Sequence, residues 1–173
     1  NAPTLTPWLK QLASDLPLPI YYILGNHDYY GGKISSIRRE VSTFNTPPLI
    51  WLGSGALVPL SSETALIGHG GWGDARIGDF LNTPVRINDH RQIEELTGHE
   101  RSTLQEKLRD LGDEAAQVLK RALNQTLTPH LYSTVIIATH VPPFRESTWY
   151  QGRYGDIDWM PDFCCAATGE VIM

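Results

Sequence analysis

The chain has 173 residues, 41% of them hydrophobic and 19% charged, and a formal net charge of -5. These values exclude a disordered segment and predict one globular domain over residues 1–173, because a chain of this length can bury a sizeable core. The negative charge argues against nucleic acid or an anionic membrane surface as a partner. No apolar run approaches the roughly 20 residues that span a bilayer.

The first half of the chain is predicted to alternate helices with strands. A helix over residues 7–16 places four apolar side chains on one face: Trp8, Leu9, Leu12 and Leu16. A short, fully buried strand follows over 20–24, and a second helix over 33–44. Three strand-like segments come next, over 49–52, 56–60 and 64–67.

The second half continues the alternation after the glycine-rich run GHGGWGDARIGDF, which is too irregular for a regular element. Residues 87–128 are predicted to be helical in two or three pieces, the last opening at Asp113 and closing at Pro129. We expect this last piece to bury Ala115, Leu119, Ala122, Leu123 and Leu127. A second buried strand over 133–139, a loop and a final helix near Asp162 complete a layered α/β domain.

The two cysteines, Cys164 and Cys165, are adjacent in the sequence. Neighbouring cysteines seldom bridge each other, so we predict no disulfide framework and a reducing, cytoplasmic location. A redox or metal-binding role is the alternative, and the absence of a Cys-x-x-Cys spacing disfavours it. We interpret both as small apolar side chains on a helix.

Polar motifs end both of the predicted buried strands. The strand over 20–24 runs into Gly25-Asn26-His27-Asp28, and the strand over 133–139 runs into His140-Val141-Pro142-Pro143. Ligands of α/β folds bind beyond the carboxyl ends of the strands. If both strands belong to one sheet, Asn26, His27 and His140 meet at one edge.

These two motifs in this order, with the glycine-rich GHGGWGDAR segment between them, resemble the calcineurin-like metallophosphoesterase family. The resemblance covers residues 7–173. It implies a four-layer α/β/β/α sandwich, in which two sheets are flanked by helices and two divalent metal ions lie at the strand ends. It also implies hydrolysis of a phosphate mono- or diester by a metal-bridging hydroxide, with a phosphorylated small molecule or protein as the substrate.

The resemblance assigns a role to each motif residue. Asn26, through its amide oxygen, and His140, through a ring nitrogen, would bind the same metal. His27 would lie beside the substrate phosphate, where it would stabilise negative charge or protonate the leaving oxygen, since imidazole exchanges protons near neutral pH. Imidazole suits Mn, Fe, Zn or Ni, so the ligand types do not choose among these metals. Asp28 is expected to hold the loop without binding metal.

Three further motifs of the family do not occur in the chain. An Asp-x-His motif and a Gly-Asp motif should precede Gly25, and a Gly-His-x-His motif should follow Pro143. Before Asn26 the one carboxylate residue is Asp15, and no histidine follows His140. We therefore expect a domain that is incomplete at both ends and that carries part of the metal site. The internal Gly-Asp pairs are in the wrong order to substitute, at Asp74, Asp79, Asp113 and Asp156.

Several other residues are weaker candidates for substrate contacts. His69 and Arg145 are predicted to reach the substrate, although His69 could equally end a strand and Arg145 could lie in a solvated loop. The other candidates to line the cleft or contact phosphate are Trp72, Asp74, Arg76, Arg153 and Tyr154. The remaining histidines, His90, His99 and His130, are interpreted as surface residues.

Two other functions compete with the phosphoesterase. One is a non-catalytic binding or regulatory domain that retains the fold, in which Asn26, His27 and His140 would have no catalytic role. The other is a hydrolase with its own nucleophile, but the chain contains no Gly-x-Ser-x-Gly motif and no cysteine with an evident base partner.

Overall fold

A computed structural model describes residues 1–127 and 131–173 of the chain. The helices are α1 (Ala2–Asp15), α2 (Ile34–Ser42), α3 (Asp89–Gln92), α4 (Arg101–Leu127), α5 (Met160–Phe163) and α6 (Ala166–Ile172). The strands are β1 (Ile20–Tyr22), β2 (Leu49–Trp51), β3 (Val58–Pro59), β4 (Thr64–His69), β5 (Thr134–Thr139), β6 (Trp149–Tyr150) and β7 (Arg153–Tyr154). The predicted helix end at Pro129 and the predicted surface position of His130 lie outside the described residues.

The strands form three small sheets. β1 pairs with β2 in parallel, and β4 pairs in parallel with β5 from Thr64 opposite Thr134 to His69 opposite Thr139. β3 lies antiparallel on the other edge of β4, and β6 and β7 form a hairpin. This mixture of helices with parallel and antiparallel strands confirms the α/β class predicted from the alternation.

The core consists of two clusters of buried apolar side chains. The larger one joins α2, the loop after β1 and the start of α4, and includes Ile37, Val41, Trp51 and Leu108. The smaller one, around Ile67 on β4, packs the sheet of β4 and β5 against α4 and α6. The larger cluster contacts the first half of α4, through Leu104 and Leu108, and the smaller one contacts its second half, through Leu119 and Ala122.

The first helix departs from its predicted packing. α1 begins at Ala2, and the side chains that pack against the larger cluster are Ala2, Leu5 and Leu9. Trp8 is 70% exposed and Leu12 is 41% exposed. The prediction that Trp8 and Leu12 face the core together with Leu9 is therefore wrong. The helix begins earlier than predicted, at Ala2, and it packs against the core through its residues up to Leu9.

Both predicted buried strands are only partly buried. β1 alternates half-buried and exposed residues, and Ile136 of β5 is 47% exposed. Among the described strands, β1 pairs with β2 alone and β5 with β4 alone, so each lies at the edge of its sheet. An apolar strand at an edge retains an exposed face, which periodicity does not distinguish from a buried strand.

The helix predicted to open at Asp113 is continuous from Arg101 to Leu127. Its buried stripe starts at Leu104 and continues through the predicted Ala115, Leu119 and Ala122, whereas Leu127 is exposed. The acidic pair does not begin the helix. Asp113 forms an ion pair with Arg76 at 2.8 Å, and Glu114 forms one with Arg38 at 2.5 Å.

Cys164 and Cys165 are free and fully buried between α5 and α6. Burial raises the pKa of the Cys164 thiol to about 12. Both therefore behave as small apolar side chains, as predicted, although they lie in the link between two helices and not on a helix. None of the helices in the described part of the chain has the length and apolarity needed to cross a membrane.

Candidate metal centre

Asn26 and His140 meet although they are 114 residues apart in the sequence. Asn26 opens a 3-10 turn after β1, and His140 directly follows β5. The amide oxygen Oδ1 of Asn26 and Nε2 of His140 form a hydrogen bond of 3.0 Å, which the imidazole donates when Nε2 carries the proton. The predicted convergence of the two strand ends is therefore present, although β1 and β5 belong to different sheets.

Gly25 permits this approach. A Cβ atom at Gly25 would lie 2.9 Å from the His140 ring, closer than Cβ atoms pack in folded proteins. Any side chain here would push the two strand ends apart. The backbone N–H of His140 donates to the carbonyl of Gly70 at 3.1 Å. The glycine-rich run that follows β4 therefore holds the backbone of His140 in place.

Asp89 sets the orientation of the Asn26 amide. Nδ2 of Asn26 donates to both carboxylate oxygens of Asp89, at 2.9 and 3.0 Å. The Tyr30 hydroxyl donates to the same carboxylate at 2.5 Å. Because the amide nitrogen is held by two acceptors, the amide oxygen faces His140. Burial and the nearby Asp89 carboxylate raise the pKa of Tyr30, so the phenol remains a donor.

The two donor atoms fit one divalent cation. Two ligands bound at about 2.1 Å to a single ion, at right angles to each other, lie about 3.0 Å apart. That is the observed separation of Oδ1 and Nε2. Within residues 1–127 and 131–173, no group of three or more His, Cys, Asp or Glu side chains is arranged to hold a metal. Asn26 and His140 would therefore supply two ligands of such an ion.

His27 lies at the wall of the same cleft as Asn26 and His140. Its side chain is exposed and stacks against Tyr30 with ring centroids 4.5 Å apart. Asp28 accepts a hydrogen bond from the Gly25 backbone N–H at 2.8 Å. Asp28 therefore holds the loop, as expected, and lies outside the set of donors that face His140.

The cleft around these residues has a volume of about 470 Å³. Its walls combine polar and aromatic side chains, and the aromatic ones include Trp72, which the sequence predicted to lie there, and Trp159. Among the described residues that line the cleft, Arg86 is the one Arg or Lys. One nitrogen of its guanidinium donates to the carbonyls of Thr83 and Val85, at 2.7 and 2.6 Å, which fixes the side chain at the cleft wall.

The structure does not bring His69 or Arg145 to the cleft. His69 is 3% exposed and lies in a separate small cavity, where its Nδ1 accepts a hydrogen bond from the Gly71 N–H at 3.0 Å. Burial, with a smaller contribution from Arg38, lowers the pKa of His69 to about 4. Arg145 is exposed in a 3-10 turn away from the cleft. Neither position supports the predicted contact with substrate.

Two other sequence candidates hold the fold together. Asp74 is fully buried, pairs with Arg76 at 3.1 Å and accepts a hydrogen bond from the Ala167 N–H at 2.8 Å. Arg76 also pairs with Asp113 on α4. These contacts join the glycine-rich run to α4 and α6, so both residues have a structural role outside the cleft.

The interpretation of His90 as a surface residue is wrong, whereas His99 is exposed as predicted. The His90 side chain is 8% exposed, and its Nε2 lies 3.1 Å from the Asp162 carboxylate, without hydrogen-bond geometry. Asp162 itself lines the cleft and is 8% exposed. Asp162 was expected only to begin a helix, and it lies inside α5.

Sequence reasoning missed four residues of the cleft: Tyr30, Arg86, Asp89 and Asp162. Asp89 is 63 residues from Asn26 and lies in the first turn of a four-residue helix, where an acidic residue is ordinary. No short motif connects them. The available signal was the polar run Asn88-Asp89-His90 within an otherwise helical prediction, and it does not indicate a partner.

Comparison with known families provides one match. The model of the calcineurin-like phosphoesterase family matches residues 2–164. Neither the curated proteins nor the solved structures that were compared include a match to the chain.

Proposed function

The chain belongs to the calcineurin-like phosphoesterase family, and we propose that it hydrolyses phosphate mono- or diesters with the help of bound divalent cations. We propose a phosphorylated small molecule or protein as the substrate. The two buried free cysteines support a reducing, cytoplasmic location.

The contact between Asn26 and His140 is the observation that carries this proposal. The 3.0 Å separation of Oδ1 and Nε2 suits two neighbouring ligands of one cation. A neutral amide and a neutral imidazole contribute no negative charge, so a cation held by them remains a strong Lewis acid. Both atoms face a cleft large enough for a phosphate ester.

Five polar residues of the cleft have distinct proposed roles. Asn26 and His140 hold one divalent cation, and Asp89 keeps the amide oxygen of Asn26 turned toward it. The bound cations supply Lewis acidity and lower the pKa of water. His27 donates a hydrogen bond or a proton to the leaving oxygen. Arg86 pairs with a phosphate oxygen through the guanidinium nitrogens that its own loop leaves available.

The family relation also supports the finer features of the fold. We propose that the sheet of β1 and β2 and the sheet of β3, β4 and β5 are the two inner layers of an α/β/β/α sandwich. In this arrangement α1 and α2 cover the first sheet, and α4 and α6 cover the second. A second cation, as the family implies, requires ligands beyond Asn26 and His140.

A non-catalytic binding domain is the second candidate function. It is favoured by the ligand count, since no group of three His, Cys, Asp or Glu side chains surrounds a cation position in the described residues. In that case the cleft binds a phosphorylated ligand without turnover.

Metal-restored hydrolysis distinguishes the two functions. The chain is stripped with a chelator, supplied with Mn²⁺ or Zn²⁺, and assayed with a phosphate monoester, 4-nitrophenyl phosphate, and a phosphate diester, bis(4-nitrophenyl) phosphate. We expect hydrolysis that requires the metal and that His140→Ala abolishes, while His99→Ala, which changes an exposed histidine, retains it. Hydrolysis that needs no metal, or that survives His140→Ala, contradicts the phosphoesterase proposal. Tight binding of both esters without turnover identifies the binding domain.

A further inference from the structure

A second cavity, which we call the aromatic pocket, adjoins the metal cleft. It has a volume of about 560 Å³. Its aromatic lining consists of Trp149, Tyr150, Tyr154, Trp159 and Phe163. These side chains are unusually open to solvent: Trp149 is 60% exposed and Tyr150 is 70% exposed. Large patches of exposed apolar surface on a folded protein commonly form the binding site of a ligand or of another molecule.

The walls of the aromatic pocket are held by the local fold. Trp149 and Tyr154 are paired across the β6–β7 hairpin and pack edge to face, with ring centroids 5.1 Å apart. Trp159 and Phe163 pack edge to face at 5.6 Å across one turn of α5. The two aromatic pairs therefore keep their arrangement without a ligand, which lowers the entropic cost of binding.

Close packing also fixes the floor of the pocket. Met160 is 1% exposed, and a Cβ atom at Gly155 would lie 2.4 Å from its terminal methyl group. The Gly155 N–H donates to the Thr148 side chain at 3.2 Å, which ties the end of the hairpin to its start.

The aromatic pocket is continuous with the metal cleft. Pro142, Trp159 and Phe163 line both cavities. Pro142 lies two residues after His140, so the shared wall begins beside the proposed cation ligand. A single ligand can therefore place one group in each cavity. The two cavities differ in chemistry: the cleft offers His27, Arg86 and His140, whereas the pocket offers its aromatic faces together with the charged side chains of Arg153 and Asp156.

We propose that the aromatic pocket binds a flat aromatic ring system carried by the alcohol part of the phosphate ester. This inference rests on the proposed function, because it assumes that the phosphate lies in the cleft. Aromatic side chains bind flat rings by stacking and edge contacts, and a volume of about 560 Å³ lies within the ordinary range for a small-molecule site. The preferred substrates are thus esters with aromatic alcohol parts, in preference to sugar or alkyl phosphates.

Three ligands distinguish the contribution of the ring to binding from that of the phosphate: adenosine 5′-monophosphate, ribose 5-phosphate and adenosine. Their affinities are measured by calorimetry on the chain, with and without Mn²⁺. We expect adenosine 5′-monophosphate to bind about tenfold more tightly than ribose 5-phosphate, since ring stacking adds roughly this factor. Trp149→Ala should remove most of this preference and leave the affinity for ribose 5-phosphate unchanged. Trp8→Ala removes a comparably exposed tryptophan that lines neither cavity, and it should change neither affinity.

Each contrary result has a separate meaning. Equal affinities for the two phosphates in the native chain overturn the aromatic site while leaving a Mn²⁺-dependent phosphate site intact. Adenosine binding that Trp149→Ala weakens, without any effect of Mn²⁺ on the two phosphates, supports the aromatic site and contradicts the metal-dependent function. Self-association that Trp149→Ala abolishes, without ring preference, identifies a contact between copies of the chain and overturns the proposal.

Discussion

Asn26 can bind a cation only through its amide oxygen, so the residue that controls the amide orientation controls the site. Asp89 holds the amide nitrogen with both carboxylate oxygens, and the Tyr30 hydroxyl donates to one of these oxygens, Oδ1. Partners that orient a metal ligand commonly affect metal affinity as strongly as a weak ligand does.

Replacing Asp89 with asparagine tests this dependence. Asp89→Asn retains the size of the side chain but has a single acceptor oxygen. Asn26 and Tyr30 together donate three hydrogen bonds to the two oxygens of Asp89, so in the variant the Asn26 amide loses its fixed orientation. We expect Mn²⁺ affinity, measured by calorimetry, to fall about 10-fold to 100-fold. Asp110→Asn makes the same chemical change at an exposed position on α4 and should have no effect. An unchanged affinity in Asp89→Asn contradicts the positioning role.

His27 is expected to act on substrate without binding metal. His27→Ala should lower kcat about 100-fold to 10,000-fold, which is the usual contribution of a general acid. The metal content of the purified protein should stay the same, because the Asn26 and His140 donors are untouched. Enzyme kinetics and elemental analysis measure the two effects, and loss of metal in His27→Ala would show that His27 is itself a ligand.

The sequence predicted Asn26, His27 and His140 because each follows an apolar strand within a short motif. It could not predict Asp89 or Arg86, whose positions depend on how a loop folds back across the strand ends. It also predicted that His69 and Arg145 reach the substrate. His69 ends β4, and a polar residue at a strand end does not reveal which cavity its side chain enters. Arg145 lies in a 3-10 turn beyond β5, where the strand no longer determines its position.

At the scale of elements, the close approach of α4 to the glycine-rich run fixes the second strand end. A Cβ atom at Gly112 would lie 2.5 Å from the Cβ of Asp74. Asp74 is fully buried and held by Arg76 and the Ala167 N–H, so it cannot move aside. At Gly112 the backbone of α4 therefore packs directly against the Asp74 side chain of the glycine-rich run.

Gly112→Ala should consequently destabilise the protein, although alanine ordinarily favours a helix by about 1 kcal/mol. Overpacking of this kind costs about 1–3 kcal/mol, so we expect a net loss in the free energy of unfolding measured with urea. Gln117→Ala changes an exposed residue of the same helix and should stay within about 0.5 kcal/mol of the native protein. Equal or higher stability in Gly112→Ala would show that the packing against Asp74 is loose.

The elements most accurately predicted were those with a strong local pattern. α2 buries Ile34, Ile37 and Val41, as its helical spacing required. The sequence prediction divided the continuous α4 into separate helices, because Asp113 and Glu114 are typical of the first turn of a helix. In the structure they bind Arg76 and Arg38, which are 37 and 76 residues away. Such long-range partners override a local signal.

At the scale of the whole molecule, the buried His69 makes stability depend on pH. Its pKa is about 4 in the folded protein, against an ordinary value of 6.5. Between these values the unfolded chain binds a proton that the folded one does not. The free energy of unfolding should therefore be unaffected by this group above pH 6.5 and fall by about 3 kcal/mol as the pH drops to 4.

His69→Asn provides the comparison. The amide oxygen can accept the hydrogen bond of the Gly71 N–H that Nδ1 accepts now, and it does not titrate. Urea denaturation of both proteins at several pH values should show a steeper loss of stability in the native chain between pH 6.5 and 4. Parallel curves would mean that the buried His69 side chain gains its proton as readily in the folded protein as in the unfolded chain.

The pairing of Asn26 with His140 is the feature of the whole fold on which the function depends, and a Mn²⁺ titration followed by NMR tests it most directly. Paramagnetic Mn²⁺ broadens the signals of the groups nearest to it, even when binding is weak. We predict that the Asn26 side-chain amide and the His140 imidazole broaden first, before any group near exposed carboxylates such as Asp110. If these two signals stay sharp while others broaden, Asn26 and His140 do not hold the cation.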